Sequence, residues 1–192
     1  MKPISKFALL NQVHGNNVAI LEDPGQFEAG GFYHFKECDG AITNLKDFAL
    51  LVMTADCLPI FFRAPGWVGL AHAGWRGTKN QVAKKAFELL KAKSGGDPSR
   101  IQVIFGPCIG FNRYEVGPEF RDIFPKKSLR EKKGKLYFDL VGENKRQLAE
   151  AGASERSITE LGLCTFDENE DFYSFRKEKE AAGRMVSFIL RF

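Results

Sequence analysis

The residues able to do chemistry are few. The chain holds three histidines and four cysteines, and His14, Cys57 and His72 all stand close behind apolar runs. Nitrogen and sulfur donors with a fourth position left open are how catalytic zinc is held. A metal bound in this way makes hydroxide available near neutral pH. The three residues are far apart in the sequence, and spacing alone does not specify a site. On spacing alone a buried cysteine with two unrelated histidines is the favoured reading. The same residues also suit a nucleophilic pair, with Cys57 activated by His72, Asp56 orienting the imidazole, a covalent intermediate and no metal. His34 has no apolar-strand context and reads as a surface residue. Arg76, Arg113, Arg176 and Arg184 could serve phosphate or carboxylate, because the guanidinium fork fits such oxyanions. Arg76 is the strongest of them, lying four residues after His72 and just before a helix start.

The elements that must position these groups centre on Leu50–Thr78. Two apolar runs, Ala49–Met53 and Trp67–Ala71, read as buried strands of a hairpin-like unit. The first leads to Asp56 and Cys57, and the second to His72 and the glycine-punctuated loop Ala73–Thr78. Thr78 is a plausible N-cap for a helix over Lys79–Lys93, whose apolar positions recur at helical spacing. Strands are expected at Phe7–Leu10, Val18–Leu21, within Cys38–Asn44, and at Ile101–Phe105, Leu136–Phe138, Ser157–Leu163 and Arg184–Arg191. Shorter helices are expected over Pro118–Phe124 and Leu140–Ala151, the latter capped by Asp139. Residues 23–36 read as irregular, and the basic run Pro125–Lys135 as a solvated loop. Several links between strands are too short for parallel crossovers. The expected class is α+β, layered mixed β-sheets with helices packed outside.

At 192 residues, 44% hydrophobic and 27% charged, the chain is expected to form one soluble domain over residues 1–192. Its 18 phenylalanines point to an aromatic core, and its net charge of +4 suits an anionic small molecule. Cys38, Cys57, Cys108 and Cys164 include no CxxC pair, which argues against a zinc ribbon or a thioredoxin motif. A reducing compartment is the simpler reading. No stretch approaches the roughly 20 apolar residues needed to span a bilayer. The start of the chain does not read as a signal peptide, so a cytoplasmic location is expected.

Several blocks carry a resemblance: Gln12-Val13-His14-Gly15, Asp39-Gly40-Ala41, Thr54-Ala55-Asp56-Cys57-Leu58-Pro59, Ala71-His72-Ala73-Gly74-Trp75-Arg76-Gly77 and Gly106-Pro107-Cys108-Ile109-Gly110 with Tyr114-Glu115-Val116-Gly117. In the second half Phe138-Asp139-Leu140, Asn144, Leu163-Cys164-Thr165 and Ser174-Phe175-Arg176 fit as well. Together they are similar to the polyphenol-oxidase or laccase-domain family, regarded as purine nucleoside phosphorylases. The resemblance implies zinc on His14, Cys57 and His72, and phosphorolysis of adenosine, inosine, guanosine and methylthioadenosine together with deamination of adenosine. Asp56 would then shuttle a proton and Arg76 steady phosphate. The implied partners are purine nucleosides and phosphate, with no nucleic acid or membrane. Older descriptions of the family as copper-dependent laccases exist, but one His/Cys/His set suits zinc better than a multicopper centre. The implied fold is related to a toxin with a catalytic cysteine, which keeps the cysteine-hydrolase reading open. A nucleoside-binding module with a closed metal site, its fourth ligand Cys108 or Cys164, is a further alternative. Family members usually carry several dozen residues before the His14 block, and the chain is expected to lack that segment.

Overall fold

A computed structural model of the protein describes residues 6–23 and 31–192. The strands are β1 (Lys6–Leu10), β2 (Val18–Leu21), β3 (Phe32–Phe35), β4 (Gly40–Thr43), β5 (Phe48–Thr54), β6 (Leu58–Ala64), β7 (Trp67–Ala73), β8 (Gln102–Phe105), β9 (Glu115–Val116), β10 (Leu129–Lys132), β11 (Lys135–Phe138), β12 (Ile158–Glu160) and β13 (Met185–Leu190). The helices are α1 (Trp75–Lys79), α2 (Val82–Lys93), α3 (Phe120–Ile123), α4 (Leu140–Glu150) and α5 (Phe175–Glu178). One sheet runs β13-β5-β1-β3 and a second β12-β8-β6-β7-β4-β2, with a small sheet β10-β11-β9 beside them. Both large sheets mix parallel and antiparallel pairs. The fold is the expected α+β arrangement.

The layers explain the sequence pattern. Ala8, Leu10, Phe48, Leu50 and Val52 of the four-stranded sheet meet Ala41 and Leu70 of the six-stranded one. On the other side of the six-stranded sheet, Ile42, Leu58, Ile60 and Phe62 pack with Val82, Ala86, Phe87 and Leu90 of α2. β7 is covered on both faces, so its residues are all buried. That is why Trp67–Ala71 reads as an unbroken apolar run instead of an alternating one.

The Leu50–Thr78 unit is not a hairpin of its two apolar runs. β5 pairs with β1 and β13 in one sheet, whereas β7 pairs with β6 and β4 in the other. The unit therefore crosses between layers, and the hairpin is β6–β7. Three further expectations change. Within residues 23–36, β3 forms and pairs parallel with β1; residues 24–30 lie outside the described ones. Part of the basic run Pro125–Lys135 is β10, an exposed strand paired with β11 across Lys133 and Gly134, both at positive φ. Two positive-φ residues between antiparallel strands suit a tight hairpin, a signal weakened here because lysine takes the first position. Lastly, α2 begins after Gln81, whose φ of 61° separates it from α1. Thr78 is buried in α1 and is no N-cap: its Oγ1 and carbonyl accept hydrogen bonds from the Asn144 and Gln147 amides of α4.

Asp139 caps α4 as the sequence suggests, accepting from the Gly142 N–H at 2.8 Å. One turn on, Glu143 is buried and accepts from Ser128 Oγ at 2.6 Å, Arg146 Nη2 at 2.6 Å and Gln147 Nε2 at 2.8 Å. Burial alone would raise its pKa; the bonds from Arg146, Ser128 and Gln147 outweigh burial and hold it below the ordinary value. A carboxyl depressed in this way stabilises the fold above its unfolded pKa, and that contribution is lost as pH falls through the folded one. Replacing Glu143 by Gln keeps one accepting oxygen but removes the charge and turns an NH₂ group towards donors that need an acceptor, and should cost about 3 kcal/mol in urea unfolding at pH 7. The deficit should shrink in acid, near pH 4, where wild type begins to lose the same contribution.

Candidate metal centre and cavity

β1, β3 and β5 run parallel, so their carboxyl ends meet at one edge of the sheet, the usual place for a site in parallel structure. The loop after β1 carries His14, and the turn after β5 carries Asp56 and Cys57. From the second sheet, β7 brings His72 to the same place. The donor atoms of His14, Cys57 and His72 all lie within 4.8 Å of one another. The two imidazoles meet edge to face with centroids 4.9 Å apart. The expected trio is thus assembled, although its members come from three separate strand ends.

Asp39 organises it. This carboxylate is fully buried and accepts four hydrogen bonds. His72 Nδ1 (2.8 Å) and the His14 N–H (3.0 Å) reach Oδ1; the Val13 (3.1 Å) and Gly15 (2.7 Å) N–H groups reach Oδ2. One side chain therefore orients one imidazole by its ring and the other through its backbone, where His14 adopts a φ of 59°. With Nδ1 of His72 committed to Asp39, Nε2 is the atom free to face a metal. Gln12 locks the same loop to β5, its amide exchanging two 2.8 Å hydrogen bonds with the Met53 backbone. The expectation that Asp56 orients the imidazole is corrected: Asp39 does so. In the sequence Asp39-Gly40 signals only a turn, and nothing there shows that its acid is buried under two histidines.

Burial would raise the Cys57 pKa, but hydrogen bonds from His14 and His72 bring it down to about 6. Burial would likewise lower the His72 pKa, but Asp39 and Cys57 push it up to about 9. The Asp39 carboxyl is held below its usual range, hydrogen bonding by His72 and the Gly15 amide outweighing burial. At neutral pH these shifts favour a thiolate on Cys57 and an imidazolium on His72; a metal would take the place of the His72 Nε2 proton, while the bond to Asp39 keeps the proton on Nδ1. One side of the trio is left open by Gly74, where a Cβ would stand 2.8 Å from Cys57 Sγ and 3.3 Å from His14 Cδ2. Donor chemistry and open cradle both fit a single ion. Gly74→Ala should weaken metal binding by about tenfold, read by chelator competition, by pushing the Cys57 sulfur away from the two imidazoles.

Asp56 lines the cavity beside the trio but is itself engaged. It accepts from Thr165 Oγ1 and Ser174 Oγ, each at 2.7 Å, and from the Arg176 N–H at 2.6 Å. It therefore ties the late segments of the chain to the Cys57 turn, at a φ of 80°. The cavity measures about 560 Å³ and admits three of the four singled-out arginines: Arg76, Arg176 and Arg184. Each lies over an aromatic ring of the same cavity: Arg76 on Trp75 (4.5 Å), Arg176 on Tyr114 (5.4 Å) and Arg184 on Phe175 (6.0 Å). Arg113 lies outside it, paired with Asp167. Arg76 is the second residue of α1 instead of preceding the helix. His34, read from sequence as a surface residue, is exposed but lines this cavity from β3. Cys108 and Cys164, both free thiols, face each other in an isolated backbone β-bridge outside the named strands, and among the described residues neither joins the donor cluster. A fourth cysteine ligand is therefore not supplied.

Residues 1–191 match the family described as multi-copper polyphenol oxidoreductase laccase. This chain belongs to that family. The laccase-family chain is 32% identical to purine nucleoside phosphorylase YlmD of Bacillus subtilis, the match covering 97% of this chain and 71% of that one. It is 35% identical to purine nucleoside phosphorylase YfiH of Escherichia coli, over 96% and 74%. Among solved structures it is similar to Bacillus licheniformis hypothetical protein YfiH (TM-score 0.88, 30% identity, 97% and 74% covered). It is also similar to YlmD from Geobacillus stearothermophilus (TM-score 0.86, 32% identity, 98% and 74% covered). These relatives support a phosphorylase-like enzyme, and the His/Cys/His set gives this laccase-family member a place for a metal.

Proposed function

We propose that the protein is a zinc-dependent purine nucleoside phosphorylase acting on adenosine, inosine, guanosine and methylthioadenosine, with adenosine deamination as a second activity of the same site. The observation that carries this reading is one cavity holding the His14/Cys57/His72 trio together with three arginines that have no carboxylate partner among the described residues. Relatives named as purine nucleoside phosphorylases give the chemistry its class.

A zinc ion on the trio supplies a Lewis acid at the wall of the cavity. Arg76, with Arg176 and Arg184, holds the attacking phosphate and offsets its charge. Arg176 is fixed for this by donating from Nη1 to the Glu115 carbonyl at 2.7 Å, and Arg184 by donating to the Ala182 and Gly183 carbonyls. Trp75, Tyr114 and Phe175 offer ring faces against which a purine can stack. Asp56, whose carboxylate is already shared among three donors, positions Cys57 and the Arg176 backbone and is not the group that moves the proton.

The test incubates purified protein with adenosine, with and without phosphate, before and after chelation, and separates the products. Adenine formed only with phosphate, and inosine in either case, both lost on chelation and restored by zinc, are the expected results. Zinc-loaded protein that yields neither sinks the proposal. The lowered Cys57 pKa favours one second reading, a Cys57/His72 hydrolase. Turnover that survives chelation but not iodoacetamide would select it.

A further inference from the structure

We infer that His34 is the general acid of the phosphorolysis proposed above, the group that gives a proton to the departing purine. The inference rests on that reading of the site and adds a catalytic residue to it. All three histidines of the chain line one cavity. His34 arrives there because β3 is parallel to β1, with His34 level with Leu9, whose strand leads into the His14 loop. Its ring meets only Phe32, at 5.6 Å, among described ring contacts, and it is exposed, so it is free to reach a ligand.

A purine leaves poorly as an anion, and protonation of the ring nitrogen removes that barrier. The cavity's other ionisable groups are unsuited to the task. His14, Cys57 and His72 are the metal donors. Both Asp56 oxygens already accept hydrogen bonds. Burial drives the Tyr114 hydroxyl well above its usual range, with the Cys57 charge adding to it. The three arginines do not release protons. His34 remains, and imidazole is the side chain suited to giving and regaining a proton near neutral pH. In the step, the C1′–N9 bond breaks and its electron pair passes into the purine ring. A phosphate oxygen forms the new C1′–O bond. His34 delivers its proton to N7, the hydrogen phosphate releases its own to solvent, and solvent returns one to His34.

The role is testable with a nucleoside that needs no acid. In 7-methylguanosine the base is already cationic and leaves neutral without protonation. Zinc-loaded wild type, His34→Gln and His34→Ala are compared on guanosine and 7-methylguanosine, with zinc content and melting temperature as controls on folding. Both variants should lose about 10²–10⁴-fold in kcat on guanosine and stay within about threefold of wild type on 7-methylguanosine. Equal losses on both substrates, or undiminished turnover of guanosine, overturn the assignment while the phosphorylase reading stands. Wild type inactive on both nucleosides overturns the two together.

Discussion

Cys57→Ala protein is expected to retain its fold, to lose stoichiometric zinc and to lose at least about 100-fold in phosphorolysis. The sulfur is the one anionic donor of the trio and is hydrogen-bonded by both imidazoles. Changes to groups that merely orient metal ligands cost about 10–100-fold in affinity or activity, so removing a ligand outright should exceed that range. The fold should survive, because Cys57 is only partly buried and the turn that carries it is held by Asp56, through its carboxylate and through the Asp56 carbonyl that accepts from the Ile109 N–H at 2.9 Å. Cys57→Ser sharpens the result. Its hydroxyl keeps the volume but is a far weaker ligand, so zinc should fall nearly as far as in the alanine variant. Zinc per chain, measured by atomic absorption after dialysis, together with adenine release, decides the matter. A Cys57→Ala enzyme that kept one zinc and its activity would remove the trio from the mechanism.

Much of this site was legible in the sequence because strand ends are legible. Apolar runs place β5 and β7, and the residues just beyond a buried strand are the ones a rigid scaffold presents. His14, Cys57, His72, Asp56 and Arg76 all converge on one cavity accordingly. What the sequence hides is pairing. Nothing in Trp67–Ala71 says that its neighbour is β6 and not β5, since a strand covered on both faces has no alternation to betray its layer. The short strand Phe32–Phe35 is masked by the glycine-rich stretch before it, and with it the place of His34. Asp39 is hidden for a different reason. An Asp-Gly pair has a sufficient local explanation as a turn, and only the tertiary fold brings four donors to its carboxylate. Thr78 misleads in the same way: a threonine before an amphipathic run suggests a cap, but here it is the buried contact between α1 and α4.

The hidden residue carries the second large effect. Asp39→Asn should lower zinc affinity by about 10–100-fold and destabilise the metal-free protein by about 3–5 kcal/mol. The carboxylate has no room for an amide. Oδ1 accepts from the His72 ring and the His14 N–H, and Oδ2 from Val13 and Gly15. Whichever way an asparagine turns, its NH₂ faces two donors and takes away the acceptor that the fully buried carboxylate offered them. With the amide nitrogen at the Oδ1 position the His72 ring and the His14 N–H lose their acceptor; at the Oδ2 position Val13 and Gly15 do, so in either case the His14 loop is loosened and the charge that holds His72 is gone. Asp39→Glu should not rescue, since the residue is fully buried and an added methylene has nowhere to go. Chelator competition gives the affinity, and urea unfolding with and without zinc gives the stability. Both quantities should move, and the gap to wild type should be wider with saturating zinc than without it, because zinc stabilises each folded form according to its affinity and binds the variant more weakly. An asparagine variant with wild-type zinc affinity would mean that the two histidines are held by the strand ends alone.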